Sequence, residues 1–91
     1  MQYTLTEEEK EMINQEIDVF LEDREDVDFT GTTISPYNLR EVLLARGFEE
    51  DYNDCNAMDS WWYLKKEGFG RAVVYFSALS FDLKLGYLGG D

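Results

Sequence analysis

Apolar side chains recur every three or four positions early in the chain and every second position in its last third, so the hydrophobic period predicts helices followed by strands. Ile13, Ile17, Phe20 and Leu21 fall on one helical face, with Met12 and Val19 on its shoulder. Thr6 followed by Glu7, Glu8 and Glu9 fits a capping box: the hydroxyl accepts from an early amide, Glu9 reaches back, and the acids sit where the helix dipole favours them. A first helix is therefore predicted from Thr6 to Leu21 or Arg24. The second has better-written ends. Ser35 is a good N-cap, Pro36 suits the first helical position, and Ile34 can staple onto Leu39. Leu39, Val42 and Leu43 form its inner face, and a left-handed Gly47 would end it with Phe48 placed against Leu43.

Val27 to Thr33, between the helices, reads as extended or looped, with room for a short edge strand. Glu49 to Asp59 is polar and acidic and reads as a loop holding at most one helical turn. Trp61 to Glu67, Arg71 to Leu79 and Phe81 to Leu88 are rich in aromatic and β-branched residues, with Gly68-Phe69-Gly70 turning between the first two. Phe81, Leu83, Leu85 and Tyr87 alternate with Asp82, Lys84 and Gly86, so that strand has one buried and one wet face. The strand before it is apolar on both sides, Val73, Tyr75 and Leu79 against Ala72, Val74, Phe76 and Ala78, and belongs in the middle. The expectation is one α+β domain over residues 1–91: two N-terminal helices packed on a three-stranded antiparallel β-meander, in two layers and the order ααβββ.

Composition sharpens this. With 44% hydrophobic and 15% aromatic residues, the chain holds too much buriable surface for a disordered acidic tail, although its net charge of −12 alone would suggest one. The charge is also uneven. Met1 to Asp59 carries 17 acids against Lys10, Arg24, Arg40 and Arg46, whereas Ser60 to Asp91 carries three acids against Lys65, Lys66, Arg71 and Lys84. Such one-sided charge repels itself and attracts cationic partners. It argues against direct binding to nucleic acid or anionic lipid, both of which recruit Lys and Arg. Cys55 is the only cysteine, so no internal disulfide forms, and Met1 to Leu5 lacks the basic start and apolar run of a signal peptide. A cytoplasmic protein is expected, with no stretch approaching a membrane span.

The chemistry-bearing residues point away from catalysis. There is no His, Cys55 has no adjacent base, and among 20 acids nothing singles out an acid and base pair. Asp51 to Asn56 has a faint calcium-loop look, but the positions that need Gly and Glu hold Asn56 and Trp62. No enzyme, cofactor or metal is expected.

The acids themselves carry more. Glu7, Glu11, Asp18 and Glu22 lie near one line along the first helix, where like charges repel. Glu22, Asp23, Glu25, Asp26 and Asp28 crowd the end where the dipole is negative and a cation would be preferred. Either the helix stops near Leu21 and these acids solvate a loop, or they serve a partner. Glu49, Glu50, Asp51, Asp54 and Asp59 offer a second acidic row. In the cluster Trp61-Trp62-Tyr63, alternate residues point to opposite faces, so Trp61 and Tyr63 are displayed on one side of the sheet if the other is core. Loops covering both faces are the alternative to an aromatic anchor there.

With its acidic row Glu7, Glu11, Asp18 and Glu22, the cluster Glu22 to Asp28 and the segment Glu49 to Asp54, the chain resembles in size and charge the small acidic inhibitors of phages and mobile elements: DNA mimics, antirestriction and anti-CRISPR proteins. That resemblance implies an inhibitor occupying the nucleic-acid-binding groove of a nuclease or similar partner. The expected contact residues are those acids, gathered on the helical side as one docking surface backed by the sheet, together with Trp61, with Tyr37 and Tyr52 as further aromatic anchors. The alternative is a cytosolic assembly or adaptor domain that dimerises through its aromatic sheet face.

Overall fold

A computed structural model describes residues 5–90, and the opening residues read for a leader, Met1 to Thr4, lie outside the described part. The order is α1 (Glu7–Asp23), β1 (Val27–Asp28), α2 (Pro36–Ala45), β2 (Glu49–Cys55), β3 (Asp59–Lys66), β4 (Gly70–Ser77) and β5 (Leu83–Gly89). All pairings are antiparallel and the sheet order is β1-β5-β4-β3-β2. The α+β class is as expected, but the three-stranded meander is wrong: β3, β4 and β5 form the meander, and two edge strands enlarge it to five.

Both helices end as their sequences dictate. The Glu9 amide donates to the Thr6 hydroxyl at 3.1 Å while the Glu9 carboxylate accepts from the Thr6 amide at 3.0 Å. At the far end of α2, Gly47 adopts φ +96°, and the amides of Gly47 and Phe48 donate to the carbonyls of Leu44 and Leu43, the Schellman pattern. Helix α1 outruns the apolar stripe, so Glu22 and Asp23 occupy its last turn with no basic residue there. Arg24 caps it in the left-handed region, its guanidinium 5.2 Å from the Phe69 ring.

The helices lie side by side on one sheet face. Thr33, just before α2, donates to Glu9, and Arg46 at the end of α2 binds Asn14 and Asp18, so the two helices run in the same sense. Ile13, Ile17 and Phe20 of α1 and Leu39 and Leu43 of α2 are fully buried against Leu64, Ala72, Val74 and Leu85. Burial of each such aliphatic or aromatic side chain stabilises by roughly 1.5–3 kcal/mol before chain entropy is counted.

The strand β2, read from sequence as a loop, has no apolar alternation, and none of its residues is buried. Its order comes from the ladder with β3 and from the Tyr52–Tyr63 stack at 4.4 Å. A bulge at Asp51 sets the parity that brings those rings together. Phe81 also departs from its expected alternation: it precedes β5, with φ +59° and its ring 72% exposed. At Gly70, where β4 begins at φ +123°, an added Cβ would lie 2.9 Å from the Gly89 carbonyl oxygen, so only glycine fits.

Candidate functional site

Because the helices cover one face of the sheet, the other is left without a second layer among the described residues. Register places Glu50, Asn53, Trp62, Leu64, Val74 and Leu85 toward the helices, and Tyr52, Asp54, Trp61, Tyr63, Val73, Tyr75 and Lys84 away from them. The consecutive tryptophans therefore serve opposite sides. Trp62 packs on Tyr37 at 5.2 Å beneath the Arg40 guanidinium at 5.3 Å. Trp61 lies 5.3 Å from Tyr75 on the helix-free face, beside the stacked Tyr52 and Tyr63. Trp61, Tyr63 and Tyr75 are half-buried and Tyr52 is exposed. Of the expected aromatic anchors, Trp61 and Tyr52 share this face, and Tyr37 belongs to the other.

The acids frame this aromatic floor from two sides. Asp28 pairs with Lys84 in the register of β1 and β5, and Asp26 lines the same hollow with Val73, Tyr75 and Gly86, about 380 Å³ in volume. Across the sheet, Glu49 stands opposite Lys65, Asp54 opposite Trp61, and Asp51 pairs with Arg71 at 2.6 Å. With strands ~4.8 Å apart, the two acidic edges stand roughly 19 Å from each other. Asp59 joins them, accepting from the Tyr75 hydroxyl at 2.9 Å.

The remaining contact residues fall elsewhere. Glu7, Glu11, Asp18 and Glu22 line the outward side of α1, opposite its buried stripe. Glu7 pairs with Lys10 at 3.5 Å, Asp18 pairs with Arg46, and Glu11 accepts from Gln15 at 3.4 Å. Glu50 faces the helical layer and pairs with Arg40 at 3.0 Å. Asp23 and Glu25 stand at the end of α1, exposed and without an ion pair among the described residues. A single acidic patch on the helical side is thus not formed: part of the set lies on α1, part across the sheet, and four of its members pair with the protein's own cations.

Asp26 and Asp28 have local duties. The Asp26 carboxylate accepts from the Tyr87 amide at 3.0 Å, continuing the β1–β5 pairing with a side chain. Asp28 accepts from the Thr30 amide at 2.8 Å, and its bonds to Thr30 hold its carboxyl below the ordinary value. On the floor, burial and the neighbouring Tyr52 and Asp54 push the Tyr63 phenol up, while donation to Asp59 together with burial does the same at Tyr75. Tyr75 and Lys84 were not among the expected contacts. The signal for Tyr75 was present, since a central strand apolar on both faces cannot hide both in a two-layer domain, and Lys84 falls on the face of the last strand read as wet.

Among the described residues no group of His, Cys, Asp or Glu is arranged to hold a metal ion, and no helix is long and apolar enough to cross a membrane. Set against known protein families, curated proteins and solved structures, the chain gives no match.

Proposed function

We propose that the chain is a non-enzymatic, acidic binding protein whose helix-free sheet face docks on the basic, nucleic-acid-binding surface of a protein partner in the cytoplasm and excludes DNA or RNA from it, as a DNA-mimic inhibitor does. The observation that carries this reading is the arrangement of Tyr52, Trp61, Tyr63 and Tyr75 in a floor that no other described residues cover as a layer, edged by Asp26 and Asp28 on one side and Glu49 and Asp54 on the other. Interfaces are commonly built this way, with aromatic anchors in the centre and charges at the rim. The net charge of −12 steers cationic surfaces toward the chain and polyanions away.

The test is displacement. Proteins retained from lysate on the immobilised chain are expected to elute with rising salt and with excess duplex DNA, and a Trp61→Ala column is expected to retain less. Retention indifferent to both salt and DNA would overturn the reading. The stacked pairs on the same face favour a second reading, a homodimer through it. That face also carries Lys65, Arg71 and Lys84, so a dimer through it would set cations as well as acids of one copy against the other. Sedimentation equilibrium at low and high salt separates the two.

A further inference from the structure

The two edges of the sheet differ. Beside β5, the two-residue β1 and the Asp26 carboxylate close the ladder. At the other edge, β2 is seven residues long and pairs only inward with β3, and among the described residues no backbone group bonds its outer side. An open strand of this length, roughly 23 Å, is a template for another strand. Its side chains decide which strand can join. A second copy would set Glu49, Glu50, Asp51 and Asp54 against the same residues, and like charges across a ladder repel. Extended Lys or Arg side chains would meet the opposite sign, and Glu49 and Asp54 have no ion pair of their own among the described residues. The bulge at Asp51 adds a recess: a cleft of about 140 Å³ wraps the edge there, lined by Arg40, Glu50, Tyr52, Asn53, Trp62 and Tyr63.

We propose that β2 accepts an extended, Lys- and Arg-bearing segment of a partner protein as a sixth strand, the main chain supplying the hydrogen bonds, the acids supplying selection and the cleft seating one side chain. This deepens the binding reading given above and rests on it.

The experiment titrates isotopically labelled protein at low salt with a peptide of about nine residues alternating Lys and Val, long enough to span the strand. A second peptide has the same sequence with four central backbone amides N-methylated, two on each edge of the strand, which keeps charge and side chains but removes two donors whichever edge meets β2. The first peptide is expected to shift the β2 amide resonances and slow their exchange. The methylated peptide is expected to bind at least about tenfold more weakly, the loss of roughly two hydrogen bonds. Equal binding of both peptides, or shifts confined to Trp61, Tyr63 and Tyr75, would overturn strand addition and leave the charged reading standing. Binding of neither would overturn strand addition as well, while salt- and DNA-sensitive retention tests the broader reading separately. A Glu and Val peptide that bound as tightly as the Lys peptide would overturn the assignment of a cationic partner.

Discussion

Two neighbouring tryptophans with opposite surroundings give the sharpest test of the architecture. Trp62 is half-buried under the helical layer, its ring on Tyr37 and below Arg40. Truncating it to Ala removes an aromatic pair at ~0.5–1.5 kcal/mol, a cation–π contact at ~0.5–1 kcal/mol and part of the transfer and cavity cost of a large core side chain. The sum expected for Trp62→Ala is about 2–3 kcal/mol, a fall in Tm of roughly 10–20 °C for a domain of this size. Trp61→Ala loses mainly the Tyr75 contact and leaves no enclosed cavity, since no layer of described residues lies above it, so about 1 kcal/mol is expected. Urea unfolding followed by far-UV circular dichroism gives both values if the slope m is unchanged. Partner retention should show the reverse order: Trp61→Ala loses about thirtyfold or more, and Trp62→Ala, held where it is still folded, little. Equal destabilisation by the two substitutions would refute the assignment of faces, and with it the uncovered aromatic floor.

Further expectations follow from charge, titration and backbone geometry. Raising NaCl from about 20 mM to about 0.5 M should raise Tm, because screening weakens the self-repulsion of a chain at −12, and a flat response would argue against it. The Glu9 carboxyl is held below its ordinary 4.5 by Thr33 first and then by the cap at Thr6. A depressed native pKa contributes stability above the unfolded value and loses it as pH falls through the native one, so Glu9→Gln should flatten the acid limb of a urea-midpoint profile below about pH 4.5 and leave its shape unchanged above. In an ultraviolet titration, Asp59→Asn should lower the ionisation of the Tyr75 phenol toward its ordinary value of 10.0 and not move that of Tyr63. Gly70→Ala should destabilise by about 1–3 kcal/mol, from the left-handed backbone and the clash with Gly89, read from the same urea curves.

Local chemistry was the legible part. The capping box at Thr6, the Ser35-Pro36 start and the Gly47 ending depend on residues within one turn of each other, and they formed as written. Strand β2 was illegible because Glu49 to Cys55 has neither alternation nor burial, and its conformation is imposed by β3. The candidate site fared likewise. That Trp61 and Tyr63 share a face opposite Trp62 followed from alternation alone, but which face meets the helices and which acids join them depend on the bulge at Asp51 and on pairings between distant segments. The role of Asp26 lies furthest from view, since its partner Tyr87 is 61 positions away.

Cys55, the only cysteine, is exposed at the end of β2. A maleimide dye or nitroxide will attach there alone, within reach of any strand arriving at that edge, with no engineering of the chain. The same thiol carries a hazard for purification. Air oxidation can link two molecules covalently at this position, and the resulting pair would imitate a natural dimer on a sizing column unless reductant is present.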